Sequence, residues 1–165
     1  MSDGPKLLLL DATNMCFREH FSKKNLSYRG KAVDVLFGVF KSLVSYHKKW
    51  PDHFRIMAWE GGYARRLAES EAAVESGLIP SSYKQNRRDK AAEPDPELEP
   101  LFEQMDILRD ILKRTRTMQV KAKGFEADDV IHSYAEWAAR HGGEAVIVSS
   151  DKDFYQCIQP GGEGV

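Results

Sequence analysis

Behind Lys6 stand four consecutive leucines, Leu7-Leu8-Leu9-Leu10, and the run stops abruptly at Asp11. It is too short for a helix and has no polar alternation. A strand of that kind must bury both faces, a demand met inside a parallel sheet covered by helices on each side. Two further runs behave alike. Phe54-Arg55-Ile56-Met57-Ala58-Trp59 is closed by Glu60-Gly61-Gly62, and Ala145-Val146-Ile147-Val148 leads into Ser149-Ser150-Asp151-Lys152-Asp153. A shorter strand is predicted at 118–122, before Gly124. Helical spacing of Val33, Leu36, Phe37, Phe40, Leu43 and Val44 predicts a helix over 31–50, ended by Pro51. The apolar stripe Leu98, Leu101, Phe102, Met105, Leu108 and Leu112 predicts a second. A third, marked by Val130, Ile131, Tyr134, Ala135 and Ala138, opens near Phe125 and closes at Gly142-Gly143. Strands alternating with helices predict an α/β fold: three layers, α/β/α, around a mainly parallel central sheet.

Residues 63–96 break this rhythm. They hold few large aliphatics, a basic patch of Tyr83, Lys84, Arg87, Arg88 and Lys90, and then the acidic, proline-rich Glu93-Pro94-Asp95-Pro96. They read as an exposed excursion, partly helical around 65–75.

The 165 residues suit one domain. Lys and Arg total 24 against 25 Asp and Glu, a net charge of −1 that excludes a globally basic nucleic-acid coat and permits local patches. Cys16 and Cys157 lie too far apart for a CxxC zinc site and are too few for a disulfide framework, so a reduced intracellular protein is expected. No apolar run approaches the length of a bilayer span, and the N-terminus lacks a signal-peptide pattern.

The three strand runs end at or close to an acid: Asp11, Glu60 and Asp151. In open α/β sheets the functional crevice lies outside the carboxyl ends of the strands, so neighbouring strands would bring these acids together. Glu126, Asp128 and Asp129 open the helix that follows another strand, with Glu126 and Asp129 on one helix face. Acids also cap helices and fill loops for purely structural reasons. Several carboxylates on one crevice nonetheless repel unless a cation intervenes. Hard divalent cations suit such oxygen donors, so Mg²⁺ or Mn²⁺ is expected in two or more sites. Zinc fits poorly, since His132 has no histidine or cysteine at ligand spacing and reads as a surface or core residue. An all-carboxylate cluster beside a basic segment points to phosphodiester cleavage.

Asp11-Ala12-Thr13-Asn14-Met15-Cys16-Phe17-Arg18, Tyr83-Lys84-Gln85-Asn86-Arg87, Gly124-Phe125-Glu126-Ala127-Asp128-Asp129 and Asp151-Lys152-Asp153 occur in this order. Together they resemble the flap endonuclease and 5′→3′ exonuclease family, which includes phage exonucleases and the 5′-nuclease domain of bacterial DNA polymerase I. The resemblance covers nearly the whole chain and implies a PIN-like fold with a helical arch at about 61–96. It implies that Asp11, Glu126, Asp128, Asp129, Asp151 and Asp153 are metal ligands, with Glu60 where the family usually has Asp. Lys84 and Arg87 fall on arch residues that contact the scissile phosphate. Tyr83 falls where an aromatic can stack on a displaced base, and Arg18, Arg88 and Lys90 fall to backbone contacts.

The implied activity is a metal-dependent 5′-nuclease of replication or repair, acting on DNA with 5′ single-stranded ends or flaps and on RNA in RNA–DNA hybrids. The implied setting is the cytoplasm of a bacterial or phage-infected cell. Two substitutions depart from the pattern: Glu60 is one methylene longer than Asp, and Ala12 replaces a common Gly. Family members usually continue into a helix–hairpin–helix-type module that grips duplex DNA. The sequence stops at Val165 without it, so three expectations stay open: a truncated chain, one half of a split enzyme whose partner is a second polypeptide supplying that half, or a compact relative. Two other readings stay open, a PIN-like ribonuclease and a nucleic-acid-binding module with an impaired site.

Overall fold

A computed structural model of the chain describes residues 4–22, 25–83 and 95–158. In chain order the elements are β1 (Lys6–Asp11), α1 (Ala12–Phe21), β2 (Ser27–Tyr28), β3 (Lys31–Ala32), α2 (Asp34–Lys49), β4 (Phe54–Ala58), α3 (Ala64–Glu75), α4 (Glu99–Leu112), β5 (Thr117–Val120), α5 (Ala127–Arg140) and β6 (Glu144–Val148). Short 3₁₀ turns precede α4 (Pro96–Leu98) and follow β6 (Lys152–Cys157). Four strands make a wholly parallel sheet in the order β5-β4-β1-β6.

The leucine run occupies β1, between β4 and β6, where Leu9 stands level with both Ile56 and Ile147. Strand alternation sends Leu8 and Leu10 into one core with Met15, Val39, Met57, Leu101 and Leu108, beneath α1, α2 and α4. Leu7 and Leu9 enter the other core with Ile56, Val130 and Ile131, beneath α5. Leu8, Leu9 and Leu10 are each fully buried, worth roughly 1.5–3 kcal/mol apiece in transfer free energy. The expected α/β/α layering follows directly from a strand that is apolar on both sides.

Some element limits differ from the sequence expectation. The helix expected over 31–50 begins at Asp34, because Lys31–Ala32 pairs back on Ser27–Tyr28. Arg29 and Gly30 between them both take positive φ (51° and 78°), the type I′ pattern that suits a two-residue hairpin. The strand expected over 118–122 is Thr117–Val120, and the helix expected from Phe125 starts at Ala127. Helix α1 carries no signal strong enough to predict it. Among the described residues no helix is long and apolar enough to cross a membrane.

The start of α2 is held from a distance. Val33 provides no side-chain cap, and Gln104 of α4 supplies one. Its Oε1 accepts from the backbone N–H groups of Val35 (3.0 Å) and Leu36 (3.3 Å), while its Nε2 donates to Asp34 Oδ1 (3.0 Å). Gln104 is 2% exposed, and its bonds to Val35 and Asp34 satisfy groups buried from water.

Candidate metal centre

Asp11 ends the central strand and caps α1: Asn14 N–H donates to its Oδ1 at 3.0 Å. Its other oxygen accepts from Ser149 Oγ at 3.0 Å, in the loop after β6. Burial pushes the Asp11 carboxyl above its ordinary pKa; these two bonds oppose the shift, and the charges of Asp128 and Asp151 add to it. Ser149 Oγ also accepts from Asp151 N–H (3.2 Å), and Asp151 Oδ1 accepts from Asp153 N–H (2.9 Å) at the start of the 3₁₀ turn. Asn14 and Ser150 bond across the same gap, so α1 and the β6 loop are laced together.

Glu60, two residues beyond β4, reaches the opening of α5, where its Oε2 accepts from Ala127 N–H at 3.3 Å. The longer side chain thereby finds a donor at a helix N-terminus, a favourable place for negative charge. Gly61 presses on the loop before α5. Its N–H donates to Phe125 O and its carbonyl accepts from Gly124 N–H, both at 3.0 Å. A Cβ at position 61 would collide with the Ala122 carbonyl.

The three acids at the start of α5 converge on Arg66 of α3. Arg66 donates to Glu126 (2.9 Å), Asp128 (3.3 Å) and Asp129. It also donates to Tyr83 Oη (3.1 Å), whose hydroxyl donates to Glu126 Oε2 at 2.6 Å. Burial works against the guanidinium charge, but the bonds to Asp129 and Tyr83 and the neighbouring carboxylates hold its pKa above the ordinary arginine value. Asp129 also closes the first turn of α5, where its Oδ2 accepts from Glu126 N–H at 3.0 Å. Asp11, Glu60, Glu126, Asp128, Asp151 and Asp153 line one cavity of about 370 Å³ with Asn14, Arg66 and Tyr83. The donor set is almost entirely oxygen and fits a hard divalent cation. Among the described residues, no three of these acids form a ready-made cation cage, and Arg66 stands among three of them instead.

The sequence model of the 5′-3′ exonuclease N-terminal, resolvase-like domain matches residues 6–163. The chain belongs to this family. A 5′-3′ exonuclease of Aquifex aeolicus is 29% identical over 153 residues, covering 92% of this chain and 47% of its own length. The flap endonuclease Xni of Shewanella piezotolerans is 30% identical over 155 residues, covering 94% and 53%. The chain thus spans about half the length of these two relatives. The D15 protein of phage T5, crystallised with metal ions, superposes with a TM-score of 0.67 at 21% identity over 93% of this chain and 51% of that one, which shows a shared fold.

Within the exonuclease domain, then, six of the seven sequence-predicted acids line one cavity, and Asp129 joins them through Arg66. Tyr83 meets the crevice by its hydroxyl, while its ring packs edge-on against Tyr63 at 6.1 Å. Arg18 faces elsewhere: on α1 it pairs with the buried Glu19 at 3.5 Å and does not line the cavity. Lys84, Arg87, Arg88 and Lys90 lie outside the described residues. Arg66 is the residue that sequence reasoning missed. It is one of an adjacent pair in a highly charged segment, and no spacing separates it from Arg65, which pairs with Glu69 at 2.8 Å and stacks on Phe125.

Proposed function

We propose that the chain is a divalent-metal-dependent 5′-nuclease of replication or repair that hydrolyses DNA at 5′ single-stranded ends and flaps. The observation that carries the reading is the gathering of six carboxylates around one cavity at the carboxyl ends of parallel strands. Asp11, Glu60, Glu126, Asp128, Asp129, Asp151 and Asp153 are the residues that would hold Mg²⁺ or Mn²⁺. When bound, such ions supply an activated water and a counter-charge for the leaving oxygen. Asp11, fixed by Asn14 and Ser149, keeps one carboxylate at the floor of the crevice in a set orientation. Glu60 bridges from β4 toward α5, and Arg66 holds the α5 acids together. Lys84 and Arg87, in the arch at about 61–96, are assigned to the scissile phosphate, where positive charge helps most as negative charge develops. Tyr83 adds a stacking face for a displaced base, and Arg18, Arg88 and Lys90 are backbone contacts.

The reading extends to RNA paired with DNA, to a duplex-gripping unit in cis or on a second polypeptide, and to the cytoplasm of a bacterial or phage-infected cell. Single-turnover cleavage of a 5′-flap DNA with Mg²⁺, Mn²⁺ or EDTA, beside single-stranded RNA, tests it. Flap cleavage that needs metal is expected, falling by about three orders of magnitude or more in Asp128→Asn and Asp151→Asn with melting behaviour retained. Preferential cutting of RNA would favour a ribonuclease. Near-parental flap cleavage by either variant would remove the site assignment.

A further inference from the structure

The eleven residues 113–123, Lys-Arg-Thr-Arg-Thr-Met-Gln-Val-Lys-Ala-Lys, hold five of the chain's 24 basic side chains and no acid. Lys113, Arg114, Arg116, Lys121 and Lys123 are all exposed. Lys113 pairs with Asp110 at 2.7 Å and Arg114 acts on the same carboxylate, while Arg116, Lys121 and Lys123 make no ion pair among the described residues. These residues bracket β5, which among the described residues pairs with β4 alone and forms an edge of the sheet. Charges that merely guard an edge against pairing sit within the strand, and Thr117–Val120 carries none.

The far end of this row is bonded beside Glu60, which lines the carboxylate cavity. Val120 O accepts from Trp59 N–H at 2.8 Å, which sets Lys121 beside the step from Trp59 to Glu60. Lys123 precedes the Gly124 that bonds to Gly61. From Thr117 to Val120 the strand rises about 10 Å, the axial length of about three base pairs. Residues 113–123 include no aromatic, so the row offers charge without the stacking platform that single strands need.

We infer that the β5 edge and its flanks form a phosphate-binding track for the double-stranded part of a DNA substrate, running away from the cavity rim. The inference rests on the nuclease reading for its substrate and on the row of cations for its place. It uses a different stretch of sequence from the basic segment at 84–90.

Fluorescence-anisotropy titrations of the 165-residue chain in EDTA, from 50 to 200 mM KCl, test it with blunt duplex, 5′-flap DNA and a single strand. Each phosphate contact contributes about 0.9 to the slope of log affinity against log salt. In Arg114→Gln/Arg116→Gln and in Lys121→Gln/Lys123→Gln, the duplex-bearing slopes should each become shallower by about 1.8, with single-strand binding changed less than twofold. The charge-keeping pair Lys121→Arg/Lys123→Arg should keep the parental slope. Unchanged slopes in both glutamine variants, an equal loss on the single strand, or a parent that binds no duplex at 50 mM overturns the track. Parental flap cleavage with Mg²⁺ is measured in the same preparation. Cleavage with unchanged slopes removes the track and leaves the nuclease, whereas lost slope without parental cleavage removes the nuclease and leaves the track.

Discussion

A single guanidinium, that of Arg66, answers three carboxylates and a phenol at once, and it does so while about a third of it still faces water. Solvent screening keeps each pair weak, so Arg66→Ala should lower metal-free stability by only about 1 kcal/mol. The larger effect is a dependence on added cation. With Glu126, Asp128 and Asp129 left to repel, Mg²⁺ should raise the melting temperature more in the variant than in the parent. Equal shifts in scanning calorimetry would show that Arg66 does not neutralise this cluster. Cys16 belongs to the same scale. Burial, reinforced by the charges of Asp11 and Glu19 and only partly offset by Arg109, pushes its thiol up to about 12. The unfolded thiol loses its proton from about pH 9 upward while the folded one keeps it. Stability therefore falls between pH 9 and 12 by about 1.4 kcal/mol per pH unit more in the parent than in Cys16→Ala. Urea melts at pH 8, 9.5 and 10.5 read that difference, and parallel curves for the two proteins would refute it. Asp11, Glu60 and Asp151 were legible at this scale because each ends or closely follows a run whose burial demand fixes its direction, and Glu126, Asp128 and Asp129 because they open a helix after another strand. Arg66 was not, since what singles it out is a meeting of α3 with α5 that no local spacing encodes.

Between elements, the side chain that matters most is Gln104. Replacing it by Ala leaves the buried Val35 N–H, the half-buried Leu36 N–H and the Asp34 carboxylate without their partner, at a cost of about 2–3 kcal/mol. Chemical denaturation should show that loss as a lower midpoint with an unchanged slope. A stability within about 0.5 kcal/mol of the parent would show that water replaces the amide. Gly61 is a second joint. Gly61→Ala must push the loop at Ala122 away, carrying Glu60 off Ala127, so flap cleavage should drop at least about tenfold in a protein that still melts cooperatively. The strands and the long helices could be read in advance because apolar residues recur along them at one period. Helix α1 could not: its buried positions are Ala12, Met15, Cys16 and Glu19, with no large aliphatic run among them. Even its buried carboxylate depends on a neighbour, since Gly38 of α2 leaves the space that Glu19 occupies. The hairpin at Ser27–Ala32 is likewise set by two positive φ angles rather than by hydrophobic pattern.

At the scale of the molecule, the sheet order places the first strand between two that come much later in the chain: β1 pairs with β4 from residue 54 and with β6 from residue 144. A chain ended at residue 143 would turn the four-leucine strand into an open edge and remove Ser149 from Asp11. Such a fragment should lack a cooperative thermal transition and aggregate at micromolar concentration. A sharp reversible melt would show that three strands suffice. The long separations in sequence also place this domain among the slower folders of its size. On a ribosome, where residues emerge one after another, the leucines of β1 appear ahead of the other strands of this sheet and wait while most of the remaining domain is translated. During that interval they are a sticky, half-covered ribbon, the sort of nascent surface that chaperones attend. β6, the last of the four described sheet strands to leave the tunnel, covers it, and the same event brings Ser149 and Asp151 up to Asp11. Closing the core and assembling the acidic crevice thus become one step in time, so an incompletely translated chain carries neither a finished sheet nor a finished set of metal-binding acids.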